Sequence, residues 1–343
     1  MLNKYFLFSV LLSFAFMSCS SQNKESAGVM FYNVENLFDT LDTPNKIDEE
    51  FTPGSEKHWN TERYHQKIDH LGKVMQAAGG ESLPVLIGLC EIENENVLKD
   101  LIQSNNLSSG NYNFIHYESP DERGIDCALL YNKKLFTSVK SIPLKVELPE
   151  DNGGTTRDIL FVEGDLKIKN KTGHIFLFIN HWPSRVEGEE ITASRRAIAA
   201  GVLKHIVDSL NQKYTDPNIM IMGDFNDTPF DKSIQTVLGA IEYTAPQKDE
   251  CLVDLMSEFQ KQNQGSYNFK GNWQSLDQFI VSESMLNGRK LEVNTSTVNY
   301  VKKDFMLYHN EKFGDSPNKT YSGSKYFGGY SDHLPIYMEL ILK

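Results

Sequence analysis

The chain is poor in cysteine, with four in 343 residues and no CxxC pair. Beyond Cys19 the thiols are Cys90, Cys127 and Cys251, an odd and scattered set, each in or beside an apolar stretch. That excludes a disulfide framework and a thiolate zinc site, and leaves buried free thiols. Basic charge is also short. Lys and Arg number 34 against 46 Asp and Glu, a formal net charge of −12. A nucleic-acid coat protein normally presents a basic surface, so this balance argues against one. An enzyme that meets a polyanion briefly is not excluded, because a bound divalent metal reverses the local field. From Gly28 onward the chain lacks a Pro/Gly/Ser linker, a repeat or a low-complexity tract, and one compact domain is expected. A membrane-length apolar run is missing too. The N-terminal one, in MLNKYFLFSVLLSFAFMSCSSQNKES, is too short and runs into a polar tail. It reads as a secretory signal.

That leader resembles a bacterial lipoprotein signal, which implies cleavage before Cys19 and lipidation of its thiol, although Phe16 stands where the pattern prefers Leu. The implied organisation is a signal over residues 1–18, a polar tether over 19–27 and one domain over 28–343. The implied location is the cell envelope of a bacterium, with membrane contact through the N-terminal anchor alone and no protein partner.

What the domain does have is short apolar runs separated by helical patterns. VMFYNVENLF reads as a strand, and TERYHQKIDHLGKVMQAAGG places Tyr64, Ile68, Leu71 and Met75 at helical spacing before Gly79 and Gly80 stop it. LPVLIGLCE is continuously apolar, as expected of a strand covered on both faces. ENVLKDLIQS predicts a short helix, and YNFIHYES, GIDCALLYN, ILFVEGDLKI and HIFLFINH predict strands with turns between. TASRRAIAAGVLKHIVDSL predicts a longer helix, followed by strands in IMIMG, SLDQFIVS and SDHLPIYMELIL. Strands with hairpins and interspersed helices predict two packed mixed sheets with helices outside.

The polar residues that end these strands carry the chemistry. IMIMGDFNDTPF breaks from an apolar run into Gly223, Asp224, Asn226 and Asp227. Asn33 and Glu35 lie at the outlet of the first strand, Glu91 ends LIGLCE, and Asn180 and His181 end IFLFINH. Asp277 sits in SLDQFIV, and Asp332 and His333 stand just before the last strand. Singly, each has a plain account: Glu91 as a helix cap, His181 as a packed imidazole, Asp332 as a turn residue. Together they are harder to dismiss, because acids bordering a core are unfavourable unless paired or metal-bound. Carboxylates and amides without cysteine are hard oxygen donors that suit Mg²⁺ or Mn²⁺. A histidine beside an aspartate supplies an acid or base that titrates near neutrality. Metal plus histidine suits hydrolysis of a phosphate ester by attack of water on phosphorus.

In order, FYNVENLFD, GLCEIEN, RGIDCALLYN, NHWPSR, GDFND, LDQFIVS and YSDHLP resemble the motifs of the endonuclease/exonuclease/phosphatase superfamily, in its DNase I-like form. The resemblance runs from about Gly28 to the C-terminus. It implies a four-layer α/β sandwich, two mixed and mostly antiparallel sheets face to face with helices outside. It also implies a Mg²⁺ or Mn²⁺ ion held by Glu91, with Asn33 and Asp332. Asp224 and Asn226 would position the attacking water and the phosphate, and Gly223 would permit a close turn. Asp227 would only steady that turn. Asp277 would polarise His333, and His181 would protonate the leaving group. Arg123 and Asn180 would contact phosphate. A carboxylate partner for His181 is implied near Glu118 or Asp121, and Tyr321, Lys325 and Tyr326 would line a substrate cleft.

The implied activity is a metal-dependent phosphodiester hydrolase, first a secreted or surface endonuclease acting on nucleic acid. The alternative is a phosphodiesterase or phosphatase for lipid or small molecules. Asp227-Thr228 after the GDFN motif departs from the inositol-phosphatase pattern, and no basic, aromatic-rich loop for wedging DNA stands out. A binding protein that kept only the fold would have lost one of Glu91, Asp224, Asn226, Asp277 or His333; all are present.

Overall fold

The structure, a computed structural model, describes residues 26–80, 82–149, 154–244, 251–287 and 290–343. Cys19 and its signal lie outside the described residues. Ser26 and Ala27, expected in the tether, pair with Ile341 and Leu340 of the last strand.

In chain order, β1 (Ser26–Leu37), β2 (Leu86–Ile92), β3 (Tyr112–His116) and β4 (Asp126–Asn132) come first. Next are β5 (Phe136–Leu144), β6 (Ile159–Ile168), β7 (Lys171–His181), β8 (Ile219–Asp224), β9 (Ala240–Glu242) and β10 (Leu252–Asp254). β11 (Tyr267–Phe269) and β12 (Asn272–Gln274) form a hairpin before β13 (Asp277–Ser282) and β14 (Leu291–Tyr300). Two further hairpins, β15 (Leu307–Asn310) with β16 (Gly314–Pro317) and β17 (Tyr321–Ser322) with β18 (Lys325–Tyr326), precede β19 (Ile336–Leu342). The long helices are α1 (Thr61–Gly79), α2 (Glu95–Gln103) and α3 (Glu189–Lys213).

One sheet runs β14-β19-β1-β2-β4-β3, and the other β5-β6-β7-β8-β13-β10-β9. Among the described residues, only β1–β2, β7–β8 and β9–β10 pair in parallel. The two sheets face each other across an apolar core that includes Phe31, Leu129, Leu177, Met222 and Phe279. Tyr64, Ile68, Leu71 and Met75 of α1 cover the outer face of the first sheet, with Val97, Leu98 and Leu101 of α2. Leu203, Val207 and Leu210 of α3 cover the second. The result is the expected four-layer sandwich. Asn60 caps α1 by accepting from the Arg63 N–H at 3.1 Å, and Gly80 ends it at φ 64°.

β5 and β14 have no counterpart among the expected strands. Both are edge strands with Ser, Thr and many partly exposed positions. An edge strand buries little apolar surface, which weakens the alternation that marks a strand in a sequence.

Candidate active site

The ends of three strands in the second sheet lie in register. His181 of β7 pairs with Asp224 of β8, and Asp224 pairs with Asp277 of β13. Partners in register face the same side of a sheet, so the ladder itself sets three polar side chains in a row. Gly223 does not make the turn expected of it. It lies inside β8, where a Cβ would come 2.5 Å from the Cβ and carbonyl oxygen of Asn180. The turn falls on Asn226, at φ 50°, whose N–H donates to Asp224 Oδ1 at 2.9 Å. Asp227 steadies the loop by accepting from Arg185 at 3.0 Å and lying 2.7 Å from Arg196.

The first sheet reaches the same place differently. The β1–β2 ladder breaks between Asn33 and Leu37, and Glu35, Asn36 and Glu91 all take positive φ, at 52°, 54° and 64°. This backbone turns Glu91 toward β1. Its Oε2 accepts from the Asn36 N–H at 2.8 Å, while the cap of α2 is Asn94, not Glu91. Asn33 joins the two sheets: its Nδ2 donates to Asp224 Oδ2 at 3.0 Å and approaches Glu91 Oε1 at 3.5 Å.

Both histidines meet this junction. His181 Nε2 is 3.8 Å from Glu91 Oε1 and from Asp224 Oδ2. His333 Nε2 is also 3.8 Å from Asp224 Oδ2, and its Nδ1 is 2.5 Å from Asp277 Oδ2. Their protonation differs. Burial, reinforced by Arg157, Arg123 and His333, holds the His181 imidazole well below its ordinary pKa, so it is neutral. Burial alone would lower His333 too, but the carboxylates of Asp277, Asp224 and Asp332 outweigh it and hold the pKa well above normal. Burial also pushes Asp224 up to about 6, and Asp332 up to about 7 with help from Glu35 and Glu91.

Asp332 feels the negative charge of Glu35 and Glu91. Glu35 is taken up by Lys67 and the Thr320 and Tyr321 N–H groups, which leaves Glu91 and Asp332 as hard oxygen donors of the kind Mg²⁺ or Mn²⁺ accepts. Asp224, Asp277 and His333 also bring donor atoms within 4.8 Å of one another. In that group His333 Nδ1 and Asp277 Oδ2 are already engaged with each other.

The other expected residues are placed less centrally. Asn180 is fully buried, its amide donating to the Met222 carbonyl at 3.2 Å and accepting from the Trp182 indole at 3.1 Å. The Asn226 amide donates to the Trp182 carbonyl at 3.0 Å. Arg123 is half-exposed, with Nε 3.7 Å from Asp121. Neither Glu118 nor Asp121 bonds His181, whose Nδ1 is enclosed without a hydrogen-bond partner among the described residues. Asp121 instead binds Arg157 at 3.1 Å, and Arg157 donates to the carbonyls of His181 and Trp182. Tyr321 lines a cleft of about 590 Å³ beside Asp332, shared with Glu50, Glu56 and Lys57. Lys325 and Tyr326 do not line it: Tyr326 donates to Gln66 beneath Arg63, and Lys325 lies over Phe327.

Two residues that hold the site were not singled out from the sequence. Lys67, on α1, is fully buried and donates to Thr320 Oγ1 at 2.6 Å and the Tyr330 carbonyl at 2.7 Å, 3.8 Å from Glu35. Glu35 in turn accepts from the Thr320 and Tyr321 N–H groups, which ties the chain before Asp332 to the outlet of β1. Lys67 sits at the apolar-face spacing of Tyr64, Ile68 and Leu71, a signal the sequence did hold. Arg157, in a loop before β6, offered none.

The family described as the endonuclease/exonuclease/phosphatase family has a model that matches residues 28–342. The comparison with curated proteins gives no match. Among solved structures, a mannosyl-6-phosphatase from Bacteroides thetaiotaomicron is similar at TM-score 0.56 and 16% identity, over 92% of this chain and 100% of that one. An endonuclease/exonuclease/phosphatase family protein from the same organism has TM-score 0.54 and 16% identity, covering 93% and 99%. The human Nocturnin catalytic domain with bound sulfate anion has TM-score 0.54 and 14% identity, covering 93% and 96%. At such identities these structures speak for the fold; the match over nearly the whole chain places it in a family of phosphoester hydrolases that use divalent metals. The chain belongs to the endonuclease/exonuclease/phosphatase family.

Proposed function

We propose that the protein is a divalent-metal-dependent phosphoester hydrolase whose site is the junction of Asn33, Glu91, Asp224, His181 and His333. One observation carries this reading: Asp224 Oδ2 lies 3.0 Å from Asn33 of the first sheet and 3.8 Å from each of two histidines. Glu91 and Asp332 would hold the cation, with Asn33 fixing their surroundings as a donor. A cation there would neutralise the phosphate oxygens and favour attack by water. Asp224, a carboxylate above about pH 6, would orient that water, with Asn226 supporting its geometry. His333, kept charged by Asp277, would stabilise negative charge on the phosphate. His181 is neutral in the free protein, so the leaving-group proton expected of it must follow the arrival of the substrate's negative charge. Arg123 is the exposed guanidinium on this side and would meet phosphate by its planar fork. The Asn180 amide is taken up inside the fold and has no part in this reading.

Nucleic acid is the first substrate proposed, from the sequence motifs. A smaller phosphoester is the second, favoured by the carboxylates of Glu50 and Glu56 in the cleft beside Asp332 and by the likeness to a mannosyl-6-phosphatase. Lipidation of Cys19 and a place in the cell envelope remain proposals from the leader sequence. The test is a panel of plasmid DNA, RNA, bis-nitrophenyl phosphate, mannose 6-phosphate, inositol phosphates and sphingomyelin, each with Mg²⁺ and with EDTA. Hydrolysis that EDTA stops and Mg²⁺ or Mn²⁺ restores is expected. Undiminished rates in chelator would remove the metal from the proposal.

A further inference from the structure

On the His333 side the small hairpins enclose a second groove of about 240 Å³, lined by Asn268, Lys270, Tyr308, Phe313, Lys319 and Phe327 among others. It begins next to the site. Tyr267, the residue before Asn268, forms a β-bridge with His333, and their rings are 5.1 Å apart. Large aromatic rings stand exposed along it: Tyr308 at 48%, Phe313 at 37% and Phe327 at 43%, with Phe269 at 55% beside them. Each phenylalanine carries an ammonium over its face. Lys270 lies 5.0 Å from the Phe269 ring centre, Lys312 5.0 Å from Phe313, and Lys325 4.9 Å from Phe327. Of the nearby acids, Asp315 is taken up by His309 and Lys302. The Asn268 amide nitrogen has no hydrogen-bond partner among the described residues. A chain of net charge −12 thus gathers lysines and open rings on one flank of its phosphate site, while the other flank carries Glu50 and Glu56.

We infer that this groove is the track of a single nucleic-acid strand, its bases stacking on the rings and its phosphates meeting the lysines. The inference rests on the nucleic-acid reading of the site. Every base has a face that stacks on an aromatic ring, and lysines between the rings neutralise the backbone. An anionic membrane surface would use the same residue types on the apolar face of an amphipathic helix; here Tyr308, Phe313 and Phe327 line a concavity between hairpins. No such loop was visible in the sequence, because the rings come from three hairpins spread over residues 267–327.

The test compares strand binding with small-ester hydrolysis. Binding of a labelled single-stranded oligonucleotide is measured by fluorescence anisotropy with Mg²⁺, in an Asp224→Ala background so that the strand is not cut. The triple change Lys270→Glu, Lys312→Glu and Lys325→Glu should weaken binding roughly tenfold or more and flatten its salt dependence by about two in log–log slope, at ~0.7 per lost contact. The pair Phe313→Ala and Phe327→Ala should weaken it roughly tenfold with the salt slope kept. With Asp224 intact, both sets should hydrolyse bis-nitrophenyl phosphate at the unaltered rate. Oligonucleotide affinity unchanged in both sets would overturn the track. So would a parent protein that ignores the oligonucleotide but binds phosphatidylglycerol vesicles through these residues. Absence of hydrolysis on every ester would instead fail the enzymatic proposal, while the binding comparison still decides the groove.

Discussion

At the end of the second sheet, His181, Asp224 and Asp277 stand in unbroken ladder register, whereas the first sheet arrives through a break with three non-glycine residues at positive φ. The second sheet fixes its groups by backbone pairing, and Gly223 lets β7 and β8 approach so closely that a Cβ has no room. The first sheet fixes Glu91 by the Asn36 N–H, and Glu35 by the Thr320 and Tyr321 N–H groups and the buried ammonium of Lys67. Ladder register suits groups that move protons, because their spacing must not drift. A looser, charge-held outlet suits carboxylates that adjust around a cation. Positive φ at non-glycine residues occurs on both sides of the site, at Glu35, Asn36 and Glu91 and at Asn226 after β8, as expected of backbone strain at functional sites.

Changes on the two sides should therefore have different signatures. The largest is His333→Ala, which should slow turnover by ~10²–10⁴ and leave the Mg²⁺ concentration for half-maximal rate unaltered; metal titrations of the residual activity check both. Lys67→Met should destabilise the fold by about 3–5 kcal/mol, since it leaves Glu35 buried without its cation. Urea denaturation measures that, and a loss below about 1 kcal/mol would show that Lys67 does not hold this side. Asn33→Ala should raise the Mg²⁺ requirement by roughly 10–100-fold, the effect of removing a group that orients metal ligands, with most of the rate recovered at saturating Mg²⁺. Gly223→Ala should cost about 1–3 kcal/mol through overpacking against Asn180. Asn36→Gly is the smallest: it relieves a positive φ while keeping the N–H that serves Glu91, and stability should change by less than about 1 kcal/mol. Equal sensitivity at Gly223 and Asn36 would erase the contrast between the sheets.

How much of this was legible in the sequence follows the same division. Strand ends in the second sheet were readable, because IFLFINH and IMIMGD are apolar runs that stop on polar residues and the apolar run of SLDQFIVS is preceded by Asp277. Their place beside apolar strands marked His181, Asp224 and Asp277 as parts of one site built from strand ends. Gly223 was misread, since a glycine needed for close strand approach looks the same in sequence as one needed for a turn. The Asn180 amide was also beyond reach, because a side chain beside a histidine at a strand end can point either way. The strap from Lys67 through Glu35 to Thr320 joins residues more than 250 positions apart, and no local pattern announces such a contact. The edge strands β5 and β14 escaped for a different reason: half-exposed strands do not alternate cleanly.

The most direct measurement is a crystal structure of the protein with Mn²⁺ and inorganic phosphate, the metal located by its anomalous scattering. Expected is one strong peak against the carboxylates of Glu91 and Asp332, with phosphate within reach of His181 and His333. A peak at the other grouping of possible ligands, His116, Glu118 and Asp126, with phosphate bound away from both histidines, would contradict the proposal that the two sheets build one phosphoester site.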